Sequence, residues 1–144
     1  MAESTSTPPV VDALVELSFT VLGILTRSSA EFDLSVTQLR LLGILRDQSP
    51  TMAELAGFLG LDRSSVSGLI DRAEARGLVV RRPSTDDARV TIVDLGPAGA
   101  ELGTRLAATV GARVERLVAS VSEGDRDRVV KIVEGIKAER PESS

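Results

Sequence analysis

The middle of the chain contains two helix-capping signals in quick succession. Thr51 is followed three residues later by Glu54, which is a capping box, and Asp62 is a second N-cap residue. Gly60 lies between them and supplies the left-handed conformation at which a helix stops. Two short helices joined by a glycine turn form a helix-turn-helix. The pattern predicts one helix after Thr51 and a second helix that starts after Asp62 and ends at Gly77.

Two runs rich in β-branched residues follow this second helix. They span residues 78–82 and 89–93, and a turn-forming cluster of Pro, Ser, Thr and Asp at residues 83–88 separates them. A β-hairpin is therefore expected directly after the helix-turn-helix, in the position of a wing.

Four further helices are predicted around these elements. Apolar residues at three- and four-residue spacing predict a first helix from Val11 to about Ser29. A capping box at Ser35 opens a second helix, Pro97 opens a long fifth helix, and Ser122 caps a sixth. The order is four helices, a hairpin and two helices.

These elements predict a mainly α fold with a small β-hairpin wing. The 144 residues suffice for one compact domain and are too few for two ordinary ones. We expect a winged helix-turn-helix with N- and C-terminal dimerisation helices. The expected division is a disordered tail at 1–9, a single domain at 10–140 with dimerisation helices at 10–34 and 97–140 and a DNA-binding lobe at 35–95, and a second tail at 141–144.

The outer helices carry apolar stripes that a winged helix-turn-helix alone does not need. In the fifth helix one stripe is expected to run for about five turns, from Leu102 to Val121. Pairing with a second copy would bury these stripes, and packing within one chain is the alternative. The residues assigned to the dimer interface are Val11, Leu14, Val110, Val114, Leu117, Val121, Val129 and Ile132.

The composition argues against catalysis. The chain has no Cys and no His, so thiolate chemistry, disulfides and the usual general base are excluded. We expect no enzyme activity, no cofactor and no metal. The most apolar stretch, residues 17–25, is shorter than the roughly 20 residues of a membrane span, and no basic region opens the chain. A cytoplasmic protein without a membrane segment is expected.

The net charge of −4 is unevenly distributed. Between Gly60 and Val90 there are six Arg and five acidic residues, a local net charge of +1, and the rest of the chain carries −5. Because only local charge meets phosphate, the acidic total is a weak argument against DNA binding.

The second helix of the pair has one apolar face and one face of small residues. Val66, Leu69, Ile70 and Ala73 are expected to be buried, and the opposite face carries Ser64, Ser67, Gly68, Asp71 and Ala75, with Arg63 and Arg72 on its flanks. Small and hydroxyl side chains suit insertion into a DNA major groove, and the helix N-terminus offers N–H groups to a phosphate. The alternative is a small-residue face that packs against another helix.

Three arginines are predicted to lie on a projecting wing. Arg81, Arg82 and Arg89 would place guanidinium groups where they can enter the DNA minor groove. Asp87, two residues before Arg89, would orient that arginine before binding. The alternative is a solvated turn with incidental charges, which we favour for Asp86.

The run of residues 51–99, TMAELAGFLGLDRSSVSGLIDRAEARGLVVRRPSTDDARVTIVDLGPAG, resembles the multiple-antibiotic-resistance regulator (MarR) family. Leu-Ile-Asp-Arg, then Arg-Gly-Leu-Val, then Asp-x-Arg followed by Leu and Gly match in order and spacing. The six-helix layout extends the resemblance over nearly the whole chain.

The resemblance implies a dimer that binds a near-palindromic operator on double-stranded DNA, usually as a repressor that a small ligand releases. By position it assigns Ser64, Ser65 and Ser67 to the groove-facing helix. It also assigns Arg72 to the Asp-Arg pair, and Asp87 and Arg89 to the wing. Gly68 stands where many members have an Arg that reads a base. Specificity is therefore expected to depend more on the wing and on DNA shape.

In this family the ligand pocket lies between the dimerisation helices and the DNA-binding lobe. Phe19, Arg27 and Phe32 are candidates to line it, and a plain core role is the alternative for the two Phe. Without Cys and His, peroxide sensing through a thiol and regulation by zinc are excluded. An apolar or anionic organic effector remains, or none.

A second function class also fits the fold. A winged helix can act as a protein-interaction module without DNA binding, and such a module would show no salt-dependent affinity for duplex DNA.

Overall fold

A computed structural model describes residues 7–139 as six helices and one two-stranded sheet. In chain order they are α1 (Pro9–Ala30), α2 (Val36–Asp47), α3 (Met52–Leu59), α4 (Arg63–Ala75), β1 (Val79–Pro83), β2 (Thr91–Leu95), α5 (Pro97–Leu117) and α6 (Glu123–Ala138). The mainly α fold class with a hairpin wing is confirmed. Of the expected tails, residues 1–6 and 141–144 lie outside the described residues. Pro9, expected in the first tail, instead begins α1.

The helix ends follow the local capping chemistry. The Thr51 hydroxyl accepts from the Glu54 N–H at 3.1 Å, and the Glu54 carboxylate accepts from the Thr51 N–H at 2.8 Å. Gly60 has a φ of 65° and ends α3, and the Leu61 N–H returns to the Ala56 carbonyl at 3.0 Å. The predicted helix-turn-helix is confirmed, because α3 ends at the predicted glycine and α4 follows the predicted cap.

Helices α2, α3 and α4 and the hairpin form a lobe with an aliphatic core. Its most completely buried large side chains are Leu41, Leu55, Val66, Ile70, Val79 and Val93. Burial of each such side chain contributes about 1.5–3 kcal/mol. The predicted apolar face of α4 is confirmed, because Val66, Leu69, Ile70 and Ala73 are all buried.

The two strands begin one or two residues later than predicted. Arg81 pairs with Val93 in the antiparallel register, and Arg89 precedes β2. Two hydrogen bonds close the turn before the strand resumes, from the Ser84 N–H to the Val90 carbonyl at 2.8 Å and from the Val90 N–H to the Asp87 carbonyl at 2.9 Å. The prediction that residues 89 and 90 are strand was therefore wrong.

The fifth helix is shorter than its apolar stripe. It ends at Leu117, and Val121 lies in the turn before α6, so the stripe does not continue to Val121 on one helix. The last turn tightens, with the Val118 N–H donating to the Glu115 carbonyl at 3.1 Å. Ser122 then caps α6 as predicted.

The outer helices are held to the lobe unequally. The end of α1 packs against α5, where the Arg113 guanidinium donates to the buried Ser28 hydroxyl at 2.9 Å and to Glu31 at 2.6 Å. Within the described part of the chain, α6 has no buried residue. Its apolar side chains and those of the first half of α1 are left exposed.

Helix α1 is apolar over a longer stretch than residues 17–25, which the sequence analysis compared with a membrane span. By length and composition alone α1 could cross a membrane, and only 6% of its apolar 18-residue stretch is buried. Core helices of soluble proteins and signal sequences pass the same test. The buried residues Ile24, Ser28 and Ser29 show that the end of α1 forms part of the folded protein.

Candidate nucleic-acid interface

Helix α4 presents its small-residue face to solvent. Ser64, Ser67, Asp71 and Ala75 are exposed and Gly68 is half-exposed, opposite the buried apolar side of the helix. The alternative that this face packs against another helix of the chain is therefore excluded for the described residues. This surface can approach another molecule closely.

The N-terminus of α4 is occupied by its own capping residue. The Asp62 carboxylate accepts from the Ser65 N–H at 2.8 Å, the Ser64 hydroxyl at 2.8 Å and the Ser65 hydroxyl at 2.9 Å. These bonds, led by the Ser65 N–H, lower the pKa of Asp62 to about 2. The Asp62 carboxylate thus takes up the Ser65 N–H, one of the N–H groups that the start of α4 was expected to offer to a phosphate, and phosphate binding there stays a prediction.

Arg72 lies over the position where Gly68 lacks a side chain. A Cβ added to Gly68 would come within 3.1 Å of the Arg72 Nη1. Among residues 7–139, neither Arg72 nor Arg63 forms an ion pair. Both flanks of the exposed α4 face therefore carry an uncompensated guanidinium group.

The start of α2 contributes residues that the sequence analysis did not assign to the site. Ser35 and Thr37 line a surface cavity of about 530 Å³ together with Ser64, Gly68 and Arg72. The sequence marked Ser35 only as a helix cap. No local sequence pattern predicts that the start of α2 lies beside α4.

Arg81 and Arg82 do not project from the wing, so that part of the prediction was wrong. Arg81 donates to Asp71 at 2.6 Å and to Glu74 at 2.5 Å, and Arg82 pairs with Asp94. Both arginines lie on β1, where carboxylates of α4 and β2 are within reach. The Arg81 side chain is 29% exposed, whereas that of Arg82 stays 46% exposed.

Arg89 projects as predicted, and Asp87 contacts it. The Asp87 carboxylate accepts from the Arg89 Nε at 3.1 Å and from the Arg89 N–H at 3.0 Å. The pKa of Asp87 is lowered, mainly by the hydrogen bond from the Arg89 side chain. The Arg89 side chain stays 91% exposed. The turn thus holds an oriented, accessible cation at the tip of the wing.

A separate cavity of about 310 Å³ lies between α2 and α5. Apolar residues of both helices line it, including Leu39, Leu42 and Val110, with Arg46 as its charged member. None of the residues expected to line a ligand pocket contributes to it.

The three ligand candidates lie apart from one another. Phe19 is 69% exposed on α1, and Arg27 folds back along α1 over Gly23. Phe32 packs on the core with the Arg105 guanidinium 5.3 Å from its ring centroid. None of the three lines the cavity between α2 and α5, and their assignment to a ligand pocket stays a prediction.

A helix-turn-helix whose second helix is exposed beside an arginine-tipped hairpin defines a winged helix-turn-helix protein. Residues 32–90 match the sequence model of the MarR family. The solved structures below share the fold of this chain over most of its length.

The chain is similar to the HTH-type transcriptional repressor NicR of Pseudomonas putida, with 30% identity over 90 residues. The match spans 62% of this chain and 57% of the length of NicR. A crystal structure of NadR in complex with 4-hydroxyphenylacetate superimposes with a TM-score of 0.81 at 17% identity, covering 97% of this chain and 100% of that one. The repressor CouR bound to a 23-mer DNA duplex gives a TM-score of 0.74 at 27% identity, covering 87% of this chain and 89% of CouR.

Proposed function

We propose that the chain is a sequence-specific DNA-binding transcriptional repressor that acts as a homodimer in the cytoplasm and is not an enzyme. The observation that carries the proposal is the exposed small-residue face of α4 between Arg63 and Arg72, next to the projecting Arg89. The fold shared with the DNA-bound repressor CouR supports it.

The charges at this surface suit a polyanion. Arg63 and Arg72 flank the helix face and Arg89 extends from the wing, so three guanidinium groups are available for phosphates or base edges. Two acidic residues near them, Asp71 and Glu74, are already paired with Arg81. In this assignment Ser64, Ser65, Ser67 and Gly68 lie against the groove and α4 approaches it through its backbone.

The homodimer is supported by apolar surface that the protomer leaves exposed. On α6 these side chains are Val129, Val130, Ile132, Val133 and Ile136, and on α1 they include Val11, Leu14 and Leu17. Contiguous patches of this kind are rare on monomers, and a second copy would cover them. Of the other assigned residues, Leu117 is also exposed, whereas Val110, Val114 and Val121 are already half-buried in the protomer.

A two-fold dimer would present two copies of α4 to one face of a duplex. Half-sites would then lie about 10 bp apart, centre to centre, and the operator would be near-palindromic.

Release by a small organic effector is part of the proposal. The cavity between α2 and α5 is apolar, and its charged lining residue is Arg46, whose guanidinium would have to leave its ion pair with Asp47 to bind an anionic ligand. The bound 4-hydroxyphenylacetate of NadR, an aromatic acid, supports this chemical class.

Selection of bound duplexes from a random DNA pool tests the function. We expect enrichment of sequences with two related half-sites, and much weaker enrichment by the matched variant Arg72→Ala/Arg89→Ala. A pool that stays random with the parent protein would contradict DNA recognition and favour the protein-interaction module. Equal enrichment by the variant would show that DNA binds at another surface.

A further inference from the structure

Arg81 on β1 holds two carboxylates of α4 at once. Its Nη2 donates to Asp71 at 2.6 Å and its Nη1 to Glu74 at 2.5 Å. The Arg81 side chain is only 29% exposed, in contrast to that of Arg89. A planar guanidinium can make such a fork, whereas a Lys ammonium acts as a single point donor.

This ion-pair cluster lies at the surface assigned to DNA. Asp71 belongs to the exposed face of α4, and Glu74 lies one turn along the same helix. Unpaired, the two carboxylates would repel phosphates within a Debye length. With Arg81 in place, the three groups carry a net charge of −1 instead of −2.

The same contact fixes the wing to α4. Arg81 is in the middle of β1, where its backbone partner is the buried Val93 of β2. Arg82 pairs with Asp94 and so ties one strand to the other. Arg81 instead ties the hairpin to α4, so it sets how the wing sits against the helix that enters the groove.

We infer that Arg81 is a positioning residue for DNA binding, which holds the wing against α4 and masks two carboxylates without touching the DNA. This inference rests on the proposed function and deepens it. It reverses the expectation from the sequence, in which Arg81 was a direct contact.

The first test conserves the charge. Arg81→Lys keeps one positive charge but cannot hold both carboxylates in the same fork. In an anisotropy titration with a labelled duplex from the random-pool selection, we expect affinity to fall about tenfold. Lys is a good phosphate contact, so parental affinity would overturn the inference. Circular dichroism of each variant checks that it is folded.

The second test uses the salt dependence and a charge-balanced pair. Arg81→Gln/Glu74→Gln has the same net charge as the parent, and Arg89→Gln is the comparison for a direct contact. The plot of log K against log salt has a negative slope, and removal of one phosphate contact reduces the magnitude of that slope by about 1. We expect the parental slope for the balanced pair and a slope of smaller magnitude for Arg89→Gln.

A further outcome separates masking from contact. If Arg81 masks carboxylates, the balanced pair binds more tightly than Arg81→Gln alone, because the exposed Glu74 charge is gone. The inference would be overturned if the magnitude of the salt slope of the balanced pair were smaller than that of the parent by about 1 and the pair bound no more tightly than Arg81→Gln. That result would leave the proposed function intact. A parent protein that binds no duplex would overturn both.

Discussion

Gly99, near the start of α5, lies directly against the Leu78 carbonyl group in the turn after α4. A Cβ on residue 99 would overlap the Leu78 oxygen and lie 2.8 Å from its carbonyl carbon. The Gly96 N–H donates to the same oxygen at 2.9 Å. Helix α5 is thus seated on the turn that joins α4 to the wing.

Gly99→Ala is expected to destabilise the protein. The added methyl group meets backbone atoms that cannot rotate away, so we expect a loss of about 1–3 kcal/mol in the free energy of unfolding. Gly103→Ala on the same helix is the matched control, because its nearest neighbour would be the Leu42 Cβ at 3.9 Å. The control should gain about 0.5–1 kcal/mol. Urea unfolding at one protein concentration measures both, and equal stability of the two variants would contradict the packing described.

Gly68→Ala should separate stability from DNA affinity. The new Cβ would meet only the flexible end of Arg72, so helix propensity should raise stability by about 0.5–1 kcal/mol. If the α4 backbone approaches the groove at this residue, DNA affinity falls by about 1 kcal/mol or more. Thermal melting and anisotropy titration measure the two effects. A stabilised variant with parental affinity would show that α4 does not approach DNA at Gly68.

Arg89→Ala should weaken DNA binding without affecting the fold. Arg89 is accessible, and within residues 7–139 it pairs with Asp87 alone, so its removal is expected to cost about 1–3 kcal/mol of binding free energy. Arg128→Ala is the control, since Arg128 is similarly exposed but lies on α6. Both variants are titrated with one duplex at one salt concentration. The same affinity for both would remove the wing from the interface.

Ile132→Glu should dissociate the dimer. Ile132 is 61% exposed in the protomer, and a charge there would be buried without a partner in a dimer that covers α6. Lys131→Glu changes the neighbouring, already polar position and is the control. Sedimentation velocity should show a monomer for Ile132→Glu and a dimer for the parent and the control. A dimeric Ile132→Glu variant would place the interface on another surface.

Acid should weaken the N-cap of α4. The pKa of Asp62 falls from 3.8 to about 2 on folding, so its stabilising contribution is present above pH 3.8 and is lost as the pH falls toward 2. Asp62→Asn can still cap the helix but does not titrate. The melting temperature of the parent should therefore exceed that of the variant at neutral pH, and the difference should shrink in acid. A difference that grows with acidification would contradict this sign.

Local chemistry made most of the fold predictable. The caps at Ser35, Thr51, Asp62 and Ser122 depend on residues within three positions of each other, and each caps its helix as predicted. The β-branched runs and the turn residues predicted the hairpin, but the start of β2 depends on long-range pairing. Thr51 bridges to Ile92, and the Val93 N–H donates to the Pro50 carbonyl at 2.9 Å.

The site was predicted less completely, because its contacts join distant elements. Arg81 was assigned to DNA from its position in the sequence, and its partners Asp71 and Glu74 become visible only when β1 lies beside α4. Thr37 was missed for the same reason, since the start of α2 lies beside α4 only in the folded chain. The cavity depends on the separation of α2 and α5, which no local pattern encodes.

We propose that the exposed face of α4 and the tip of the wing bind duplex DNA through their arginines. The salt dependence of binding by the parent protein to a duplex from the random-pool selection tests it most directly. We predict that log K falls linearly with log salt, with a slope magnitude of about 0.9 for each of several phosphate contacts. The magnitude of the slope should be about 1 smaller for Arg89→Gln. Affinity that does not change with salt, or a slope that Arg89→Gln leaves unchanged, would contradict the account.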